Sequence, residues 1–177
     1  FANIRIRNEA APNTEGGVTT HQPSGDVLPI FDAAQRYQSD GVPTIVIGGK
    51  EYGTGSSRDW AAKGVQQLGV RCVLAEGFER IHRSNLIGMG VLPLQFIGDD
   101  NRQTLELDGS ETFDIVGLTG EATPAAQLEC IIHRADGSSR HITLQSRLDT
   151  QREVDYWQHG GILRYVLRGM LARINTG

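Results

Sequence analysis

The stretch from Pro43 to Gly69 constrains the fold of this chain more than any other. Pro43-Thr-Ile-Val-Ile47 is a continuous apolar run rich in β-branched residues, which predicts a strand buried on both faces. It delivers the chain to Gly48-Gly-Lys-Glu-Tyr-Gly-Thr-Gly-Ser-Ser-Arg58. From Ser57 to Leu68 the spacing turns helical, with Trp60, Ala61, Val65 and Leu68 on one side and Gly69 as the stop. A second round follows: a buried strand at Val70-Arg-Cys-Val-Leu-Ala75, a helix from Glu79 to Met89 and a short strand at Val91-Leu-Pro-Leu94. Such alternation predicts an α/β class with a largely parallel sheet and right-handed crossovers.

The flanks have a different character. Residues 1 to 26 read as a short strand at Ile4 and Ile6 followed by turn-rich loop at Ala11 to Gly17 and Gln22 to Gly25. Apolar spacing from Leu28 to Tyr37 predicts a helix beginning near Pro29 or Ile30 and ended by Gly41. Beyond Asp99 the pattern is all-β. Thr104 to Leu107 and Thr112 to Val116 flank Asp108-Gly109, and Leu128 to Arg134 and Arg140 to Ser146 flank Ala135 to Ser139, which predicts two hairpins. After Gly160-Gly161, residues Ile162, Leu163, Val166, Leu167, Met170, Leu171 and Ile174 describe an amphipathic helix.

The 177 residues fit one compact unit, and a formal charge of −4 argues against a broad electrostatic grip on nucleic acid. Cys72 and Cys130 lie far apart in apolar runs without metal-ligand spacing, so they read as buried thiols of a reducing compartment. No apolar stretch approaches the roughly 18 residues of a membrane span, and the cytoplasm is the expected location. The start on Phe1 reads as entry in mid-structure, as in a fragment of a longer chain.

Chemistry is expected in Gly53-Thr-Gly-Ser-Ser-Arg-Asp59, where a buried strand ends and a helix begins. Glycines 53 and 55 let backbone approach a ligand, a helix start offers unpaired N–H groups, and Arg58 brings a planar fork matched to a carboxylate. That describes a carboxylate or phosphate site. The same residues also describe an ordinary helix start, with Ser56 or Ser57 as N-cap, Asp59 complementing the dipole and Arg58 in solvent. The loop lacks the Gly-Lys-Ser/Thr ending of a P-loop and is not G-x-G-x-x-G, which disfavours nucleotides. His82 reads as a structural hydrogen-bonder, and His159 as shaping the entry to the last helix. His133 and His141 read as exposed strand positions. Arg80 and Arg83, with Lys63 and Arg71, read as a solvated face, with a local RNA-binding surface as the alternative.

Glu51-Tyr-Gly-Thr-Gly-Ser-Ser-Arg-Asp-Trp-Ala-Ala-Lys-Gly64 closely resembles the C-terminal swivel-domain motif of aconitases. Phe1 to Arg5, His21 to Gly25, Phe78 to Leu86, Gly88 to Leu94 and Gln158 to Leu163 resemble that family too, in the same order. Asp59-Trp60 after the arginine is similar to the branch of bacterial aconitase A and the iron regulatory proteins. The small subunits of isopropylmalate isomerases share the fold but not this full set of motifs.

The resemblance implies one three-layer β/β/α swivel domain over residues 1 to 177, part of a hydro-lyase that interconverts citrate and isocitrate through cis-aconitate and inactive when isolated. It implies that Ser56 is the catalytic base and that Ser57, Arg58 and Gly55 bind a substrate carboxylate. It also implies a [4Fe–4S] cluster held by upstream domains, the partners of this one, with no cluster bound by this chain alone. A 2-methylcitrate or 2-methylisocitrate dehydratase is the related alternative, and RNA binding by the cluster-free parent is a second.

Overall fold

The structure, a computed structural model, describes residues 5–55, 58–118 and 122–174. The expected parallel unit is present: β3 (Thr44–Ile47), β4 (Val70–Ala75) and β5 (Leu92–Phe96) lie side by side and parallel. They are connected by α2 (Arg58–Gln67) and α3 (Arg80–Gly88). β4 is central here. Cys72 and Leu74 enter the larger core while Val73 faces the helices, so both faces are covered and the run is apolar apart from the exposed Arg71 near its start. β3 is only half-buried along its length, because it forms the edge of the sheet.

The sheet continues antiparallel through β8 (Ser139–Ser146), β7 (Gln127–His133) and β6 (Thr112–Val116), in the order β3-β4-β5-β8-β7-β6. Strict alternation puts Leu128, Cys130 and Ile132 of β7 and Ile142 and Leu144 of β8 in the core. The sheet curls, so that Cys72 of β4 and Cys130 of β7 share one cluster although two strands separate them. The smaller cluster packs Ala62 of α2 and Leu86 of α3 against Val70 and Val73.

Several expectations require correction. Ile6 is in no strand, and Ile4 lies outside the described residues. The first hairpin does not form: in place of a strand at Thr104 to Leu107 there is a turn over residues 102–106, held by Asn101 Oδ1 accepting from the backbone N–H of Gln103 and Thr104 at 2.9 and 3.0 Å. Leu105 and Leu107 alternate in sequence because they plug the core, and β6 pairs with β7 instead. The second hairpin is as expected. Within the supposed N-terminal loop, β1 (Val18–Thr20) pairs antiparallel with β2 (Val27–Pro29), followed directly by α1 (Ile30–Ser39). Three-residue strands have too little length to show a period.

Two helices close the chain, α4 (Gln151–Gln158) and α5 (Ile162–Ile174). α4 is absent from the sequence reading, yet it has a full capping box, Thr150 with Glu153. α5 forms as expected, but none of its residues is buried. No helix among the described residues is long and apolar enough to cross a membrane.

Candidate functional site

The C-terminal end of β3 does not simply stop; it runs on beside the segment that follows β4. Gly48 N–H donates to Leu74 O at 2.8 Å, and Glu76 N–H to Gly49 O at 3.2 Å. Tyr52 N–H donates to Gly77 O and Glu79 N–H to Tyr52 O, both at 2.9 Å, around a parallel bridge between Tyr52 and Phe78. Two βα loops are thereby zipped together, and the starts of α2 and α3 are brought to the same edge of the sheet. This is the strand-end location at which α/β sheets bind ligands.

Tyr52 is the inner anchor. Its ring meets Phe78 edge-on at 5.9 Å between centroids and His82 at 5.3 Å, and burial raises its hydroxyl above the usual range, so it stays neutral. His82 is 1 % exposed, and its backbone N–H donates to Glu79 Oε2, the N-cap of α3, at 2.8 Å. The loop turns outward directly above it. Gly53 has φ +91°, and a Cβ placed there would meet His82 Cδ2 at 2.1 Å and Cγ at 2.2 Å. Only glycine satisfies both the dihedral and the contact. Thr54 caps the turn by donating through Oγ1 to Glu51 O at 2.8 Å.

Gly55 is exposed, and a Cβ placed there would have nothing within 4 Å. Ser56 and Ser57 lie outside the described residues, as does the Arg58 side chain; the Arg58 backbone opens α2. Asp59 in the first turn is exposed and complements the helix dipole. Trp60 departs from expectation: it is 59 % exposed, with Lys63 Nζ 5.0 Å from its ring centroid, while Ala62 and Gly64 are the buried positions of α2 among the described side chains.

The other candidates are distributed elsewhere. His133 pairs with Asp114 and His141 with Glu129 across exposed strands, at 2.8 and 2.6 Å. His159 ends α4 through Nδ1 and Asp155 O at 2.8 Å, and Gly161 packs so tightly that a Cβ would lie 2.6 Å from Gly88 O. His21, to which the sequence reading gave no role, is 6 % exposed; its Nδ1 pairs with Ser24 Oγ at 2.9 Å and its ring packs on Tyr37. Arg83 belongs to no basic face, because it is mostly buried and its guanidinium donates to Glu153 Oε1 at 2.8 Å.

Neither thiol fits an iron–sulfur cluster. Cluster ligands must be thiolates converging on one point. Cys72 and Cys130 are buried strand residues whose thiols are pushed up by desolvation, Cys130 to about 11 and Cys72 further. Among the described residues no group of three or more His, Cys, Asp or Glu could hold a metal ion.

The family model described as "Aconitase C-terminal domain" matches residues 1–99. Aconitate hydratase A of Pseudomonas aeruginosa is 57% identical over 171 residues, 97% of this chain and 19% of the relative. The Escherichia coli protein of the same name is 56% identical over 171 residues, with the same shares of 97% and 19%. That of Legionella pneumophila is 56% identical over 168 residues, 95% of this chain and 19% of the relative. The chain thus spans about a fifth of the length of these curated relatives. Among solved structures, 3-isopropylmalate dehydratase from Methanocaldococcus jannaschii superposes with a TM-score of 0.54 at 18% identity, over 85% of this chain and 84% of that one, which shows a common fold. The zipped strand ends, the glycine loop and the match of the family model over residues 1–99 lead to one conclusion: the chain belongs to the aconitase C-terminal domain family.

Proposed function

We propose that this chain is the C-terminal swivel domain of an aconitate hydratase that interconverts citrate and isocitrate through cis-aconitate. The observation that carries the reading is the place of Gly53–Gly55, in the loop that follows a parallel strand and precedes the helix opened by the Arg58 backbone, in a chain more than half identical to aconitate hydratase A proteins. In this reading Ser56 removes the carbon-bound proton of the substrate and returns it in the reverse direction. Gly55, Ser57 and Arg58 hold a substrate carboxylate. A serine hydroxyl is a weak base near neutral pH, and its alkoxide requires positive potential; the N-terminus of α2 and the Arg58 guanidinium are groups that supply it. The leaving hydroxyl and the remaining carboxylates are handled by the larger part of the parent protein, which also holds the [4Fe–4S] cluster. A reducing cytoplasm suits the two buried free thiols.

The test is Ser56→Ala in the full-length parent, reconstituted anaerobically with iron and sulfide. Removing a general base costs about 10²–10⁴-fold, so hydration of cis-aconitate is expected to fall by that factor with the fold intact. Unchanged turnover removes Ser56 as the base. Faster turnover of 2-methyl-cis-aconitate than of cis-aconitate by the unaltered parent moves the reading to the methylcitrate branch.

A further inference from the structure

His82 is used by none of the roles above, yet among the described residues its side chain is the nearest to a Cβ placed on Gly53. Its ring lies directly under Gly53, with so little room that even a methyl group on Gly53 would overlap the ring carbons at 2.1 and 2.2 Å. The side chain is held from the other side as well. Its backbone is bonded to the Glu79 N-cap at 2.8 Å, its ring packs against Tyr52, and Tyr52 is bonded on both sides of its peptide to the chain leading into α3. The floor of the loop is therefore rigid, and it belongs to a different βα unit from the loop itself.

A leucine or phenylalanine would fill that volume as well. An imidazole with 1 % exposure carries two ring nitrogens whose burial costs about 2 kcal/mol or more unless they are hydrogen-bonded. A polar ring in a place that packing alone would give to an apolar one points to use of its nitrogens.

We propose that His82 is a positioning residue of the site: its imidazole carries the glycine loop at Gly53, the turn on the way to α2, and the proton transfer assigned to Ser56 depends on that support. This rests on the assignment of Ser56 above. Misplacement of a reacting group by about 1 Å costs on the order of 100-fold, so the effect belongs in kcat rather than in stability.

The experiment uses the reconstituted full-length parent with His82→Leu, His82→Gln, His82→Asn, Ser56→Ala and the double variant His82→Leu/Ser56→Ala. The expected result is that His82→Leu keeps KM and its melting temperature while kcat for cis-aconitate falls about 10- to 100-fold. Whichever of Gln or Asn places its amide at the working ring nitrogen recovers most of that loss. In the Ser56→Ala background the leucine change costs nothing further, because two groups acting as one unit are not additive. Full kcat in His82→Leu, or a loss of the same size in both backgrounds, overturns the proposal. Should His82→Leu fail to fold, the two amides decide: a difference in kcat between them supports positioning through a nitrogen, and equal kcat, at whatever level, overturns it. Retained turnover in Ser56→Ala alone removes the base assignment and is read separately from the His82 result.

Discussion

Gly53 sets how closely the glycine loop approaches the His82 ring, through one missing side chain. Its φ of +91° lies where a Cβ is strained, and the same Cβ would enter the His82 ring. Gly53→Ala is expected to destabilise the chain by about 2–4 kcal/mol, adding left-handed backbone strain to overpacking. Urea unfolding checks the value. The cost is expected to be smaller when Gly53→Ala is made in a His82→Ala background, where the overlap is gone and only the dihedral penalty remains; equal costs would show that the ring is not the obstacle. At this scale residue type and spacing single out candidates and are silent on what supports them. Gly53, Gly55 and Arg58 announce themselves through residue type and spacing, whereas the floor under Gly53 comes from His82, 29 positions later, and only the zipping of two loops brings them together.

Among the elements, the junction of α3 and α4 shows how secondary structures are locked by a few polar groups. Arg83 of α3 donates to Glu153 of α4 at 2.8 Å, and its guanidinium lies 3.4 Å from Asp149. Glu153 also accepts from the backbone N–H of Asp149 at 2.7 Å and of Thr150 at 3.2 Å, completing the capping box. With Arg83 and Glu153 side chains only 12% and 17% exposed, removing the arginine leaves a largely desolvated carboxylate without its counter-ion, held by backbone N–H groups alone. Arg83→Ala is therefore expected to cost about 2–4 kcal/mol, and Thr150→Ala about 1 kcal/mol through the lost cap. Differential scanning calorimetry of the two variants tests that order, and a larger loss for Thr150→Ala would contradict it. Elements with a strong signal matched the sequence reading: the β4 run, the helix after Pro29 and the hairpin around Asp136-Gly137. Thr104 to Leu107 misled because alternation marks side chains reaching one core, whether or not the backbone is a strand. For α4 the signal was present in Thr150-Gln-Arg-Glu153, though its eight residues bury only Val154 and leave little periodicity to read.

For the whole molecule, curling of the sheet is the feature that local pattern could not contain, because it is set by which distant strands pair. Apolar periodicity in α5 likewise revealed a face without revealing a cover, and Leu163, Met170 and Ile174 are 69%, 57% and 73% exposed in this chain. Curling also gives the molecule a defined response to alkali. It places Cys72 and Cys130 in one apolar cluster, where burial raises Cys130 to about 11 from 9.0 and Cys72 further, and Tyr52 also rises above its ordinary 10.0. Each group is neutral when protonated, so the folded state keeps its proton above the pH at which the unfolded chain releases it. The folded state then binds more protons, and stability falls as pH rises. The loss begins near the unfolded thiol value of 9.0, continues to about 11 for Cys130 and extends beyond that for Cys72. Each thiol contributes a slope of about 1 kcal/mol per pH unit in that window. Urea midpoints measured in reductant between about pH 8 and pH 10.5 are expected to decline for the unaltered chain and to decline less steeply for Cys72→Ala and Cys130→Ala, although both variants start lower from lost packing. The slope rather than the starting value carries the test, and parallel slopes in all three chains would mean that the buried thiols do not govern alkaline stability.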